Sequence, residues 1–182
     1  ALREVMKYAE RLAKISVSHI PNGIYGASGA LDNDGFSAKP VKIKVSVSVS
    51  DQEVHVNFSG TSPSVRGNLN CPISVTAAAV YYVFYSLMPR ETPACAGSLK
   101  VINISAPLGS LVNAELPSAV AAGNVETSQR IVDVILLALS QAIPYRIPAS
   151  SQGTMNNVAM GAGGDNGWDY YETMAGGTGA HA

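Results

Sequence analysis

The strictest constraint on the fold is a run of alternating residues at positions 41–50. Valine or isoleucine occupies every odd position of this run, and lysine or serine occupies every even position. Because successive side chains of a β-strand point to opposite faces, the pattern predicts a strand with one buried and one exposed face. A polar turn at 51–53 and the sequence VHVNFS at 54–59 predict a returning strand, so that the two form an antiparallel hairpin.

The other segments alternate between helical and extended patterns. Apolar residues at intervals of three and four predict helices, and the last of these is apolar on nearly all sides after Asp133, which predicts a central position. The order of elements favours an α+β fold, with antiparallel β-hairpins and a mixed sheet packed with two or three core helices, in one domain spanning 1–182. The predicted helices cover 2–18, the segment between Pro72 and Pro89, and 125–142; the further predicted strands cover 24–31, 99–106, 155–160 and 168–174.

The composition excludes several classes of partner. Only 14% of the residues are charged, against about 25% in an ordinary soluble domain, so we expect other protein to cover part of the surface. The net charge of −1 and the absence of a basic run argue against nucleic acid and against an anionic membrane surface. No apolar run reaches the roughly 18 residues that span a bilayer. Cys71 and Cys95 lack a CxxC spacing, which predicts free thiols and a cytoplasmic location.

Residues 119–161 combine an apolar helix with many amides and hydroxyls, a pattern that indicates recognition of a polar, mostly uncharged ligand. Two interpretations of the start of this helix remain open. Asn124 can cap the helix while Glu126 and Arg130 form an i,i+4 ion pair. Alternatively, the turn at Gly123 and Asn124 presents backbone N–H groups and polar side chains to a ligand. Two polar clusters flank the apolar helix: Asn124, Glu126, Thr127, Gln129 and Arg130 before it, and Ser150, Ser151, Gln152, Thr154, Asn156 and Asn157 after it.

The loop at 59–70 offers a second candidate surface. It carries Arg66, Asn68 and Asn70, and loops that carry arginine and amides often bind ligands. The alternative is a surface loop whose polar groups are satisfied by its own turns.

No metal-ligand motif is evident in the sequence. Residues 32–35 resemble the start of a calcium loop, but Phe36 and Ile43 stand where that loop needs an oxygen ligand and a glutamate. A Gly-x-Ser-x-Gly nucleophile elbow is absent as well. The histidines lie far apart and none has a second histidine at ligand spacing; they are His19, His55 and His181.

Three segments in this order carry a resemblance to a known family: VNFSGTSPSVRGNLNCPISVTAAAVYY, VAAGNVETSQRIVDVILLAL and PASSQGTMNN. They resemble the hydantoinase B/oxoprolinase family, and the resemblance runs over residues 8–179. This family includes the B-type subunits of ATP-dependent N-methylhydantoinases and the corresponding half of 5-oxoprolinases, with related subunits in acetone and acetophenone carboxylases. Its members are much longer, so the resemblance implies an interior fragment of a B-type subunit.

The resemblance also implies a division of labour. A hydantoinase A-type subunit or domain uses ATP to activate a cyclic amide by phosphorylation, and the B-type part opens the ring with water, helped by a divalent metal. The implied metal ligands are histidine and aspartate residues in an N-terminal part outside this sequence, so we expect no metal ligand and no bound cofactor in this fragment. We expect it to be inactive alone and to belong to a homo- or hetero-oligomer.

Within this resemblance, the polar residues acquire expected roles. Asparagine and glutamine side chains match both the donors and the acceptors of a planar cyclic amide. Glu126 is the expected general base, and Arg130 is expected to act in catalysis by binding the substrate or the phosphate of an activated intermediate. The expected substrate-binding residues are Asn124, Thr127, Gln152, Asn156, Asn157, Arg66 and Asn68.

Two alternatives to the ring-opening hydrolase stay open. One is a subunit of an ATP-dependent ketone carboxylase that uses bicarbonate, and the other is a non-catalytic scaffold for an oligomer. The sequence does not distinguish a separate subunit from a fused chain, nor does it give the substrate. For Tyr81, Tyr82 and Tyr85 we predict packing in the core rather than against a partner.

Overall fold

The computed structural model describes residues 1–180, and it confirms an α+β architecture. None of the helices in this range is both long enough and apolar enough to cross a membrane. His181 lies outside the described residues. The elements are α1 (Leu2–Ser18), β1 (Gly23–Leu31), β2 (Val41–Ser50), β3 (Glu53–Asn57), α2 (Ile73–Ser86), α3 (Ala96–Leu99), β4 (Ile102–Ser105), a π-helical turn (Gly123–Thr127), α4 (Ser128–Leu139), a 3₁₀ turn (Pro144–Arg146), β5 (Asn156–Ala162) and β6 (Trp168–Met174).

A four-stranded sheet in the order β1-β2-β3-β4 forms one layer of the fold. The first three strands are an antiparallel meander, and β4 lies parallel to β3. The alternation on β2 is confirmed, because its five odd-numbered valine and isoleucine side chains are all buried. The register pairs Val47 with Val56 and Val49 with Val54, which places the apolar residues of β2 and β3 on the same face.

The helices cover the apolar face of this sheet. Helix α4 packs on β1 and β2, and α2 packs on α4. The short helix α3 lies against α1, where Gly97 permits close approach, because a Cβ at this position would come within 2.1 Å of the Met6 carbonyl oxygen. The buried side of α4 consists of Ile131, Val134, Ile135, Ala138 and Leu139.

The sequence predicts a central α4 that is covered on all sides, and the structure leaves one side of this helix exposed. Leu137 is 51% exposed, so the sheet and α2 leave one side of the helix open. Its bounds also differ. The chain leaves the helix at Leu139, ahead of Pro144, and the predicted first turn is π-helical rather than α-helical. The predicted strand 99–106 is shorter too, because α3 occupies Leu99 and only Ile102–Ser105 pairs with β3.

The apolar spacing in α2 predicts a buried stripe of Ile73, Ala77, Val80, Phe84 and Leu87, and the structure buries the last three of these but not the first two. Ile73 is 44% exposed, whereas Thr76 is fully buried and donates a hydrogen bond from Oγ1 to the Val112 carbonyl oxygen at 2.6 Å. This bond satisfies a buried hydroxyl that the apolar pattern alone would have placed outside. The resulting buried face consists of Thr76, Ala79, Val80, Val83 and Phe84.

The three tyrosines of α2 have different environments, and the prediction that all three lie in the core was wrong. Tyr81 is partly buried and packs on the core, as predicted. Tyr85 is 37% exposed and donates a hydrogen bond from its hydroxyl to the Thr92 carbonyl oxygen at 2.7 Å. Tyr82 is 65% exposed on the side of α2 that borders a groove along α4.

The last two strands form a separate antiparallel hairpin. Strands β5 and β6 pair from Asn156 with Met174 to Ala162 with Trp168, which confirms the predicted pair of strands and the glycine-rich turn between them. Neither strand joins the four-stranded sheet. Apart from Val158, which is partly buried, all of their side chains are exposed.

Candidate functional site

The chain enters α4 through a buried turn that sits on the loop 65–71. Gly123 packs directly on this loop, because a Cβ at its position would lie 2.0 Å from the Asn70 carbonyl oxygen and 3.2 Å from Cys71 Sγ. Thr127 is fully buried and donates from Oγ1 to the Leu69 carbonyl oxygen at 2.5 Å. The Cys71 thiol donates to the Gly123 carbonyl oxygen at 3.0 Å. These contacts fix where the polar face of α4 begins.

Asn70 holds the same loop from within. Its side chain is fully buried, with Nδ2 within 2.9 Å of the carbonyl oxygens of Val65, Gly67 and Ala119, while Oδ1 accepts from the Val65 N–H at 2.8 Å. The amide therefore has its hydrogen bonds inside the protein. Of the two interpretations of this loop, the structure supports internal satisfaction for Asn70.

Two other residues of the loop remain at the surface. Arg66 is exposed and its guanidinium lies 4.5 Å from the centroid of the Phe36 ring, a cation–π geometry. The Asn68 side chain is exposed, while its carbonyl oxygen accepts the Ala122 N–H at 2.9 Å. Asn68 thus lies beside the turn that leads into α4, and Arg66 faces the turn after β1.

Asn124 does not cap α4, contrary to one of the two interpretations. It lies within the π-helical turn, and its side chain is exposed. The residue at the N-cap position of this turn is Ala122. The reason is that the helical backbone begins at Gly123, so Asn124 is already inside it. Its carbonyl oxygen accepts the Ser128 hydroxyl at 2.8 Å.

Three charged residues at positions i, i+4 and i+7 run from the π-helical turn into α4. They are Glu126, Arg130 and Asp133. The predicted ion pair between Glu126 and Arg130 is replaced by two other contacts. Arg130 Nη1 lies 3.5 Å from Asp133 Oδ2. Glu126 instead accepts from the Thr154 hydroxyl, which lies 2.7 Å from both of its carboxylate oxygens. We call Glu126, Arg130, Asp133 and Thr154 the polar stripe.

Asp133 is more buried than its partner Arg130, with a side chain that is 11% exposed against 35% for Arg130. Burial raises the pKa of this carboxyl group, and the neighbouring Arg130 charge partly offsets the rise. Gly153 covers it with φ of +70°, and a Cβ there would lie 2.7 Å from Asp133 Oδ2. The close approach explains why the chain has glycine at this position.

The aliphatic part of the Arg130 side chain is packed against the sheet, and its guanidinium group lacks one hydrogen-bond partner within residues 1–180. A Cβ at Gly29 on β1 would lie 3.3 Å from Arg130 Cδ, so the stem packs against the sheet. Its Nε is buried and has no hydrogen-bond partner among the described residues, while the side chain as a whole is 35% exposed. An anion or a carbonyl oxygen would meet the exposed part of this guanidinium and not its Nε, which is closed off from solvent.

A groove of about 990 Å³ runs along the open side of α4 and reaches the polar stripe at Asp133. One wall is α4, with Val132 and Leu136, and the other is the chain at 145–151. Three members of the polar cluster identified in the sequence line it, namely Gln129, Ser150 and Ser151. Asp133 is the one residue shared by the groove and the polar stripe among the described residues.

The remaining predicted residues lie away from this groove. Gln152 is exposed, and its backbone N–H donates to the Gly177 carbonyl oxygen at 3.0 Å. Asn156 begins β5. The Asn157 side chain accepts from the Tyr171 hydroxyl at 2.8 Å and from the Thr173 hydroxyl at 3.0 Å, both within the hairpin. The structure thus brings Glu126 and Arg130 together with residues 150–154, and it does not bring Asn157 to them.

Asp133 was missed as a site residue by sequence reasoning, although a signal was present. It is the one acidic residue of the predicted helix after Glu126, and it lies three residues after Arg130. An acid on an otherwise apolar helix needs a partner, and i,i+3 spacing supplies one. Thr154 was noted in the polar cluster, but nothing in the local sequence pairs it with Glu126.

No three histidine, cysteine, aspartate or glutamate side chains within residues 1–180 lie close enough together to hold a metal ion. His55 is on the exposed face of the sheet, where its Nε2 lies 2.9 Å from Ser105 Oγ. Both cysteines are free, and burial raises the pKa of the Cys71 thiol to about 12.

Comparison with known proteins relates this arrangement to longer chains. An uncharacterized protein of Methanocaldococcus jannaschii is 36% identical over 98% of this chain and 31% of its own length. The 5-oxoprolinase of Saccharomyces cerevisiae is 37% identical over 94% of this chain and 13% of its own length. The crystal structure of the ATP-dependent caprolactamase from Pseudomonas jessenii superposes with a TM-score of 0.74 at 24% identity, over 94% of this chain and 30% of that one.

The chain therefore spans less than a third of the length of these proteins. The likeness to the caprolactamase shows a shared fold. A family model described as hydantoinase B/oxoprolinase matches residues 1–182. Together with the identities to the curated relatives, this match shows that the chain belongs to the hydantoinase B/oxoprolinase family.

Proposed function

We propose that this chain is part of the B-type subunit of an ATP-dependent cyclic-amide hydrolase, of the N-methylhydantoinase or 5-oxoprolinase kind. The family match and the 37% identity to a yeast 5-oxoprolinase support the reaction class. The putative B-type subunit of a D-/L-hydantoinase from a Pseudomonas strain, 30% identical over 97% of this chain, supports the subunit type. In this proposal ATP is bound by an A-type subunit or domain, and the complete enzyme is an oligomer in the cytoplasm.

The observation that carries a role for this part of the enzyme is the polar stripe. The Glu126 carboxylate in the π-helical turn and the incompletely paired Arg130 guanidinium at the start of α4 lie four residues apart, and Thr154 of the segment 149–154 donates to the carboxylate. Ring opening needs a base that takes a proton from water and a cation that stabilises negative charge on the activated amide. We assign the first task to Glu126 and the second to Arg130. Thr154 keeps the Glu126 carboxylate in place.

Substrate recognition is assigned to the amides around the polar stripe. Asn124 and Asn68 lie at its N-terminal end, and Gln152 lies in the covering segment. Because an amide side chain both donates and accepts, it distinguishes a cyclic amide from a ketone of similar shape. The divalent metal implied for ring opening has no ligand set among the described residues, so our proposal assigns none of them to it.

The reaction class is tested on a family-length enzyme that carries this sequence, copurified with its A-type partner. We expect 5-oxoproline or a hydantoin to stimulate ADP release, with one ring opened for each ADP. No stimulation by any cyclic amide, together with bicarbonate-dependent consumption of acetone, would assign the protein to the ketone carboxylases instead.

The role of the polar stripe is tested in the same enzyme with Glu126→Gln. Glutamine keeps an acceptor for Thr154 but is no base, so we expect turnover to fall by about 10²- to 10⁴-fold, with an unchanged melting temperature. Glu91→Gln, at an exposed acid outside the groove and the polar stripe, is the matched control and should retain full activity. Full activity of both variants would show that Glu126 is not the base and would favour a purely structural role for this region.

A further inference from the structure

The hairpin formed by β5 and β6 is an arm that projects from the rest of the fold. Its two ends leave from one place, because the Ala149 N–H donates to the Ala180 carbonyl oxygen at 2.9 Å and the Gln152 N–H donates to Gly177 at 3.0 Å. The strands pair with each other and lie apart from the four-stranded sheet. A lone two-stranded hairpin is marginally stable in water, so an arm of this kind needs a further layer to hold its shape.

The two faces of this arm have different chemistry. Directly paired residues of antiparallel strands share a face, so Met160, Trp168, Tyr170 and Met174 lie together on one side. These four side chains are between 43% and 53% exposed. The other face is polar and internally bonded, with Tyr171 and Thr173 donating to Asn157. We call the first side the aromatic face.

The charges of the arm identify what can cover the aromatic face. Residues 156–174 contain Asp165, Asp169 and Glu172 and no lysine or arginine. By this register Glu172 lies on the aromatic face, opposite Val158, whereas Asp169 lies on the other face. Two copies of the aromatic face would therefore bring two Glu172 carboxylates together, which disfavours self-association through it. The complementary surface is apolar with basic groups at its edge.

We propose that the aromatic face packs permanently against protein from the same family-length chain, outside residues 1–182. The caprolactamase superposes on 94% of this chain with only 30% of its own length, so most of such a chain lies outside this region. Because an uncovered arm is marginal, the contact has to be present whenever the arm is ordered, as expected of an interface within one folded subunit. This inference rests on family membership and is independent of the proposed reaction.

The test uses adjacent residues on opposite faces of β5 in the family-length protein. Met160→Ser removes an apolar group from the aromatic face, and Ala159→Ser is the matched control on the polar face. Chymotrypsin cleavage after Trp168, Tyr170 and Tyr171 reports opening of the arm, and circular dichroism checks that the remaining fold is intact. We expect slow cleavage in the unsubstituted protein, cleavage at least about tenfold faster in Met160→Ser, and no change in Ala159→Ser.

Three outcomes would overturn the proposal. Rapid cleavage of the unsubstituted protein would show that nothing covers the aromatic face. Protection that rises with protein concentration, together with a dimer in solution, would assign the face to a second copy. Protection that appears only after the A-type partner is added would assign it to that partner. Loss of ring-opening activity is not a readout here, so failure of the proposed function would leave the result unaffected.

Discussion

Asn70 illustrates how one side chain can organise a site without touching a ligand. Its amide joins the loop at 65–71 to the Ala119 carbonyl oxygen, and the same loop supports Gly123 and Thr127 at the start of α4. The position of the polar stripe therefore depends on a buried asparagine that has no free donor to offer a substrate.

Replacing Asn70 by alanine should destabilise the fold. The substitution leaves the partly buried Val65 N–H and several carbonyl oxygens without partners, which costs about 1–3 kcal/mol of unfolding free energy. Urea denaturation measures the loss. Asn68→Ala, two residues away with an exposed side chain, is the control and should change stability by less than about 0.5 kcal/mol. Equal effects of the two substitutions would contradict the structural role of Asn70.

Asp133 makes a pH-dependent contribution to stability whose sign follows from its raised pKa. The folded state holds the proton more tightly than the unfolded state, where the carboxyl has an ordinary pKa near 3.8. The contribution is therefore fully present below the unfolded pKa and is lost as the pH rises through the folded pKa.

Asp133→Asn removes this titration while keeping the shape of the side chain. Relative to the unsubstituted protein, we expect the variant to gain stability as the pH rises through that window. Urea denaturation at a series of pH values from below 3.8 to neutrality measures the difference. A difference that stays constant over the whole series would contradict the raised pKa.

At this scale, sequence reasoning identified the polar residues but not their partners. Glu126 and Arg130 are four residues apart, so a mutual ion pair was the natural expectation. Each instead contacts a residue that folding supplies, namely Thr154 for Glu126 and the more buried Asp133 for Arg130. The sequence left open whether the Asn70 side chain binds a ligand or bonds within the protein, because one of its acceptors, the Ala119 carbonyl oxygen, is 49 positions away.

Among the elements, the bounds of α1, β2 and β6 were predicted correctly, whereas those of α4 and β4 were not. The alternation on β2 specifies one buried face, and no competing arrangement buries the same valines. Helix α2 is apolar on several sides, so its sequence did not define the edges of the buried face, and the hydrogen bond from Thr76 to Val112 brings Thr76 into that face while Ile73 stays exposed. The π-helical turn before α4 is set by packing of Gly123 on Asn70, which a local pattern does not contain.

The covering segment 149–154 is joined to α4 by one side-chain hydrogen bond that can be removed separately. Thr154→Val should change global stability by about 1 kcal/mol or less, because one partly buried bond is lost. We expect faster amide hydrogen exchange at residues 150–155 and unchanged exchange in β2. Ser151→Ala, at an exposed position of the same segment, should leave both unchanged. Unaltered exchange in Thr154→Val would show that the backbone bonds to residues 177–180 hold the segment alone.

For the molecule as a whole, the two thiols report separately on surface and core. Cys71 is fully buried with a pKa raised to about 12, whereas Cys95 is partly exposed. A thiolate is the reactive form, so Cys71 should be alkylated only when the core opens. In a Cys95→Ala variant under native conditions, pulse labelling should then follow global unfolding. Rapid labelling of that variant at neutral pH would contradict the buried packing of Cys71.

The overall architecture was predictable because its class follows from the order of strong local patterns, and those patterns mark most elements of this chain. The isolation of the β5–β6 hairpin was not predictable in the same way. The alternation of its residues predicts strands. Whether those strands join a larger sheet depends on the segments that pack beside them, and in the longer relatives most of the chain lies outside this region.

The parallel pairing of β4 with β3 has a consequence for the order in which the sheet assembles. Strands β1, β2 and β3 are joined by short connections, so a ribosome can release the complete meander while residues 102–105 are still being synthesised. Strand β4 has to wait until the connection at 58–101, which contains α2, has folded back, and such non-local closure is slow. During that interval the edge of β3 is unpaired, and this is when a nascent chain is most exposed to pairing with a neighbouring copy.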